Sequence, residues 1–330
     1  MRRLSSEALD LLVVGGGITG AGIARDAAQR GLSVALIDMQ DFGSGTSSRS
    51  SKLVHGGLRY LENFEFGLVF ESTRERYYQR KLNPHLVQPL PFVFPVYRGA
   101  QNGLWKVNIG LWVYDLLSVF RTFRLHRRLN ANKTLQLFPG LRAENLRGSV
   151  QYHDCWADDA RLTLANALAA ESEGAIVLNH MRYMAPSFSQ ANRVEGALIE
   201  DCIPGTRIQA RAKHIVYAAG PWIDTLPEAP GEQKLLRPTK GVHLCVDRSR
   251  LPTPNAMVMS AVSDGRVVFA LPWGNTTYIG TTDTDYSGDP NDARATADDV
   301  SYLLDTVNHF FPNAHLTPQE VTSTWAGLRP

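Results

Sequence analysis

The first forty residues set a short apolar run against glycines and small side chains. Leu11 to Val14 run straight into a glycine cluster, as a buried parallel strand does when it enters a tight turn. Ala21, Ile23, Ala24, Ala27 and Ala28 follow, and their small side chains suit a helix packed very close to a sheet. Gly31 ends that helix and "SVALID" supplies a second strand, which gives a βαβ start of about 30 residues.

Beyond it, the pattern between Glu62 and Arg80 is helical, with charges interleaved. The proline-rich stretch 81–100 predicts short strands and turns. Asp158 or Asp159 caps a helix running to about Glu173, and a strand follows from Ala175 to Leu178. "RIQARAKHIVYAAGPW" predicts two strands and a glycine turn. Short alternating segments from Pro238 to Thr282 predict an antiparallel sheet. A last helix, "ATADDVSYLLDTVNHFF", precedes "VTSTWAGLRP". No internal repeat or low-complexity tract interrupts the chain.

Composition narrows the class. At 330 residues, with 44% hydrophobic and 20% charged residues, the chain is an ordinary folded protein with room for two domains. A net charge of +2 argues against general nucleic-acid binding. Cys155, Cys202 and Cys245 are odd in number and far apart, so neither a disulfide framework nor a metal site is expected and a reducing compartment is favoured. The N-terminus reads as a strand entering a loop rather than a signal peptide, and no apolar run is long enough to span a bilayer.

The chemistry starts at Gly15, Gly17 and Gly20, a G-x-G-x-x-G set between strand and helix. The first permits the turn, the second lets the backbone approach a pyrophosphate, and the third allows close helix–strand packing. The helix N-terminus offers N–H groups to phosphate, and Asp38 closes the second strand where a carboxylate can accept from ribose hydroxyls. The competing reading is a plain glycine-rich turn. "HIVYAAGPW" is either an ordinary strand ending at a glycine or similar to the later strand of two-dinucleotide-type flavoproteins, where Ala219 and Gly220 pass near FAD. "SSRSSKLVHGGLRYLE", Ser47 to Glu62, directly follows the second strand. In it Ser47, Ser48 and Ser51 can bond pyrophosphate or flavin edges, and Lys52 can add charge. Gly56 and Gly57 let the backbone approach a planar ring, and Arg59 offers a fork for phosphate or carboxylate. The alternative is a solvated linker.

"GGGITGAGIARDAA", "TSSRSSKLVHGGLRYLE", "DCWADDARL", "AAGPW", "IGTTD" and "AGLRP" occur in that order. Together they closely resemble the FAD-dependent glycerol-3-phosphate dehydrogenases of the aerobic, quinone-linked type, over nearly the whole chain. The resemblance implies an α/β fold, α+β overall. A Rossmann-like FAD-binding domain (1–80 and 145–235, with 321–330 returning to it) would interleave with an antiparallel-sheet substrate domain (81–144 and 236–320). It implies oxidation of sn-glycerol 3-phosphate to dihydroxyacetone phosphate, with electrons passing to ubiquinone or a similar quinone. Arg59, Tyr60 and Arg329 are carried over as substrate contacts, with Arg329 beside the flavin. His55 stands either as the base or as a flavin hydrogen-bond partner; His243 is its rival or merely packs in a strand. Lys240 faces either the flavin or solvent.

The family continues past the equivalent of Pro330 with another flavin-contacting segment, a glycine-glycine-lysine motif and a helical domain. The 330 residues therefore read as a truncated form, with weak or no FAD retention expected relative to a full-length one. "GLWKVNIGLWVYDLLSVFRTFRLHRRLNANK" is either a core helix with a solvated basic tail or a membrane-surface contact over 103–133. The resemblance favours a cytoplasmic enzyme, peripheral on the inner membrane's cytoplasmic face, and a homodimer is compatible with it. An oxidase using O2 and a non-catalytic flavin-binding fragment are the alternatives.

Overall fold

The computed structural model describes residues 1–99, 103–118, 124–228 and 233–330, and within them all side chains but those of Arg59, Tyr60 and Glu62. Its strands are β1 (Ala8–Val14), β2 (Val34–Ile37), β3 (Leu53–Val54), β4 (Val87–Tyr97), β5 (Arg127–Asn130), β6 (Leu146–Ala157), β7 (Ile176–Leu178) and β8 (Met181–Phe188). They continue with β9 (Val194–Asp201), β10 (Arg207–Tyr217), β11 (Thr239–Asp247), β12 (Ala256–Ser260), β13 (Val267–Trp273), β14 (Thr276–Gly280), β15 (Thr284–Asp285) and β16 (Val321–Arg329). The helices are α1 (Arg2–Ser6), α2 (Ile18–Gln29), α3 (Phe66–Leu82), α4 (Leu104–Leu117), α5 (Ala131–Leu137), α6 (Asp159–Ser172) and α7 (Ala297–Phe310).

The six-stranded sheet runs β7-β2-β1-β10-β9-β8. Its parallel part centres on β1, where Leu12 lies between Ala35 of β2 and Ile215 of β10. Both faces are covered, so β2 is buried at all four positions. On one face α2 meets α6 through Ala21, Ala24, Ala27, Ala28, Ala167 and Ala170, a contact of small side chains that lets the helices approach closely. β10 is one strand, not the two expected from sequence. No glycine or proline interrupts it, so it passes unbroken from antiparallel pairing with β9 to parallel pairing with β1.

The ten-stranded sheet follows the path β15-β11-β14-β13-β12-β4-β6-β3, with β16 on β11 and β5 on β6. β11 to β14 pair antiparallel as the alternation predicted. The proline-rich stretch departs from expectation by forming one eleven-residue strand, β4, instead of several short ones. Pro89, Pro91 and Pro95 stand at alternate positions, so their missing N–H groups face a single edge. β6 pairs along the length of β4 on one side, whereas β12 pairs only at Phe92 and Val93 on the other. β3 and β6 also belong to this sheet. One of its faces packs under α7 and the other under α3 and α4.

Candidate functional site

β1 stops at Val14, and the chain turns through Gly15 with φ +110° while its N–H donates to Ile37 O at 2.8 Å. A Cβ on Gly15 would lie 2.4 Å from Ala218 O, and one on Gly20 would lie 1.8 Å from Gly15 O. Both glycines are therefore required by the protein's own backbone. Gly17 differs, since a Cβ there would meet only Ser47 Oγ, at 3.1 Å.

Around this turn lies a cavity of about 250 Å³, bordered by Gly15, Gly17, Asp38, Ser44 to Ser47, and Ala218 to Trp222, with Pro330 at its edge. Asp38 accepts from Gly16 N–H at 2.6 Å and from Gln40 N–H at 2.8 Å. Burial pushes its carboxyl up, and the two N–H bonds offset this only in part. Gly17 caps α2 without a side chain, so Ser47 supplies the missing acceptor, taking the Ile18 N–H at 2.9 Å. Ala219 and Gly220 form the facing wall, tied to β1 where Ala218 N–H donates to Val14 O.

The residues after Ser47 leave the cavity. The Ser48 hydroxyl makes a long contact, 3.5 Å, to Gly45 O. Ser51 Oγ lies 2.9 Å from His243 Nε2, and Tyr278 OH donates to Ser51 O. Lys52, at φ +53°, places Nζ 2.7 Å from Asp159 and 3.1 Å from Ser48 O, above the Trp273 and Trp325 rings. Ser50 donates to the other Asp159 oxygen. The side chains of Ser51 and Lys52 are thus engaged by the protein itself and clamp the loop onto the large sheet.

His55 is exposed, and its Nδ1 accepts from Gly57 N–H at 3.1 Å. That bond leaves the neutral ring's proton on Nε2. Gly57 has φ +74°, and Gly56 is buried with its N–H on Asp154. Gly56 has a steric reason that does not involve a ring ligand, because its Cβ would stand 2.1 Å from Tyr114 OH. Asp154 also accepts from Tyr114 and pairs with buried Arg76. Burial opposes the Arg76 charge, but Asp154 and Tyr114 outweigh it and raise its pKa. Arg59 and Tyr60 lie on the turn Leu58–Asn63, and their side chains are outside the described residues.

His243 is 2% exposed, stacked on Trp325 at 4.8 Å, with no described hydrogen-bond partner for Nδ1. Burial, then the charges of Lys52 and Arg329, push it down to about 3, so it stays neutral across the working range and is a poor base. Lys240 does not face solvent: it is buried, 2.6 Å from Asp299 and 3.3 Å from Arg294 O, and secures α7. Arg329 ends β16 opposite Thr239, more than half exposed, and reaches Asp283 at 2.8 Å. Thr46 Oγ1 donates to the neighbouring Leu328 O at 2.6 Å, which fastens this strand end to the cavity loop. The structure therefore gathers Gly15, Gly17, Asp38, Ser47, Ala219 and Gly220 at one cavity and brings the strand end bearing Arg329 to its rim.

Sequence reasoning missed Met181, Arg182, Tyr183 and Trp222, which also border the cavity. Tyr183 OH lies 2.7 Å from Tyr217 OH and donates to Glu228 at 2.8 Å, an arrangement that only the sheet order reveals. Among the described residues no cluster of His, Cys, Asp and Glu could hold a metal ion, and no helix is long and apolar enough to cross a membrane.

The family model described as FAD dependent oxidoreductase matches residues 10–330. The aerobic glycerol-3-phosphate dehydrogenase of Staphylococcus haemolyticus is 39% identical over 331 residues, covering 100% of this chain and 59% of that protein. The chain thus spans well under two thirds of this relative. The crystal structure of the Bacillus halodurans glycerol-3-phosphate dehydrogenase complexed with FAD superposes with a TM-score of 0.82 at 40% identity, over 99% of this chain and 58% of that one. L-alpha-glycerophosphate oxidase from Mycoplasma pneumoniae shares the fold, with a TM-score of 0.73 at 20% identity, over 98% of this chain and 83% of that one. The cavity fits an FAD. Asp38, Ser47 and the first residues of α2 all border the cavity. Gly17 and Gly220 border the open space, and a Cβ on Gly220 would meet nothing within 4 Å.

Proposed function

This chain belongs to the FAD dependent oxidoreductase family, and on that premise we propose that it oxidises sn-glycerol 3-phosphate to dihydroxyacetone phosphate. The observation that carries the reading is the strand end Leu328–Pro330, which is bonded to the cavity loop through Thr46, borders the cavity with Pro330, and carries the exposed Arg329 beside it. Relatives of this name matching the chain from end to end support the choice of substrate. In this reading the nucleotide part is built on the six-stranded sheet and the substrate part on the ten-stranded one.

Bound FAD supplies the hydride acceptor. Arg329 pairs with the substrate phosphate, whose charge is about −2, by exchanging or sharing its bond to Asp283. Arg59 and Tyr60 complete the substrate contacts. His55 takes the hydroxyl proton once its Nδ1 bond to Gly57 is broken or its tautomer reversed. Electrons then leave for a membrane quinone. Bleaching of the oxidised-flavin absorbance on anaerobic addition of sn-glycerol 3-phosphate tests the reading, and an unchanged spectrum in the FAD-loaded protein sinks it. Hydrogen peroxide release in air separates an oxidase from a quinone-linked dehydrogenase.

A bilayer contact through 103–133 is the second part of the proposal. Trp105, Ile109, Trp112 and Leu116 line one face of α4 at helical spacing and are each more than half exposed. Exposed Phe64, Phe66 and Phe70 precede or lie on α3, which packs beside α4. Arg124, Arg127, Arg128 and Lys133 follow α4, all exposed; Arg121 of the same tail lies outside the described residues. Apolar anchors beside such a basic tail suit an anionic membrane surface. Sedimentation with anionic vesicles that weakens in high salt is the expected result; absence of binding removes this part of the proposal.

A further inference from the structure

A second cavity, of about 240 Å³, is bordered by Pro91, Arg124, Leu125, Arg127, Gln151, His153 and Asn255. It shares no residue with the dinucleotide cavity. Side chains alternate along β6, and Asp154 faces Arg76 of α3 and Tyr114 of α4, so His153 faces the opposite side of the sheet. β5 pairs with β6 so that Arg127 stands beside Gln151, and Arg127 Nε donates to Gln151 Oε1 at 2.6 Å. Arg124 arrives on the segment that His126 anchors, its ring 2.7 Å from Asp115 of α4. A strand register thus places Arg127, and the buried His126–Asp115 hydrogen bond holds the segment that carries Arg124.

Every charged side chain on the lining is cationic, and among the described residues no carboxylate pairs with Arg124 or Arg127. His153 adds a buried Nδ1 with no hydrogen-bond partner among the described residues. Burial, then Arg124 and Arg127, hold the imidazole below its ordinary pKa, so both guanidinium groups act on this ring. Two guanidinium groups bordering one cavity with an imidazole, and no carboxylate among them, favour an anion between them. Arginine forks, an imidazole N–H and the Asn255 amide together match a tetrahedral oxyanion with several acceptor oxygens.

We propose that this cavity binds a phosphate group, held by Arg124, Arg127 and His153, at a site separate from the flavin and its substrate. Inorganic phosphate carries the chemistry directly, and an anionic phospholipid headgroup carries the same chemistry at a bilayer. Titration of inorganic phosphate, read at the His153 imidazole by NMR, tests the site without interference from the substrate region. The His153 signal is identified by its loss in His153→Gln, and Arg329→Gln serves as a control for phosphate at the other site. The expected result is a saturable shift of the His153 signal in the wild type and in Arg329→Gln. In Arg124→Gln/Arg127→Gln the affinity falls about tenfold or more, and because both arginines are exposed, thermal unfolding should be unchanged.

The source is decided by sedimentation with phosphatidylglycerol–phosphatidylcholine vesicles. If the double variant loses vesicle binding and phosphate competes with vesicles in the wild type, the ligand is a headgroup. If the variant loses only inorganic phosphate, the ligand is a soluble phosphate compound. A His153 signal that responds to neither probe, or responds equally in the double variant, overturns the proposal.

Discussion

The turn from Gly15 to Gly20 and the loop from Ser47 to Gly57 start at the same cavity but are held by different means. The turn is fixed mainly by backbone packing within its own βαβ unit and against Ala218 of the adjacent strand, with Asp38 and Ser47 accepting its Gly16 and Ile18 N–H groups. The loop is fixed by side chains from elsewhere: Asp159 of α6, His243 of β11, Asp154 of β6 and Tyr114 of α4. A rigid cradle needs glycines where backbones meet. A loop that reaches from one sheet to the other needs polar clamps along its length.

The largest effect should come from the turn. In Gly20→Ala the Cβ would sit 1.8 Å from a carbonyl oxygen of the backbone, which cannot rotate away. A loss of about 3 kcal/mol is expected from such overpacking, together with loss of FAD binding, measured by denaturant unfolding and flavin fluorescence. A stable, flavin-binding Gly20→Ala protein would show that the turn is looser than its contacts imply.

Lys52→Met comes next and separates a clamp from a flavin contact. It strands Asp159, whose side chain is 13% exposed, with only Ser50 and local N–H groups as partners. A destabilisation of about 2 kcal/mol is expected in the protein without flavin, less than for a fully buried pair. If Lys52 instead acted on the flavin, stability would hold and only FAD affinity would drop.

That contrast marks how far the sequence could be read. The βαβ start, the Asp158-capped α6, α7 and the antiparallel alternation were all visible, because their signals are local apolar periodicity and caps. β6 gave no such signal. Ser149, Gln151 and Asp154 are buried with partners on other elements, and they break the apolar pattern of the strand. The same holds at the site. Gly15, Gly20 and Asp38 sit where the fingerprint put them, whereas the engagement of Ser51 with His243 and of Lys52 with Asp159 spans 192 and 107 residues. Nothing in a short motif encodes those partners.

His243 provides a smaller test through pH. Its folded pKa is pushed from 6.5 to about 3, so between those values the unfolded chain binds more protons. Its contribution is therefore complete above pH 6.5 and is lost as pH falls toward 3, at up to about 1.4 kcal/mol per pH unit. His243→Gln should flatten the acid limb of the stability profile by one proton's slope. An unchanged limb would mean that the ring is already protonated when folded or that acid opens the Ser51 contact first.

The smallest effect on stability belongs to the residue with the most direct proposed role. Arg329 and Asp283 form an exposed pair, and such pairs contribute about 0.5 kcal/mol or less. Arg329→Gln should unfold like the wild type and retain FAD, since no cavity-lining backbone contact is lost. Its KM for sn-glycerol 3-phosphate should nonetheless rise about tenfold or more, because a charge-assisted phosphate contact is removed. Asp283→Asn frees the guanidinium and should move KM the other way. Were both variants to leave KM unchanged, the β16 end would be fastened to the flavin loop for structural reasons only, and phosphate recognition would have to come from Arg59 or from beyond this chain.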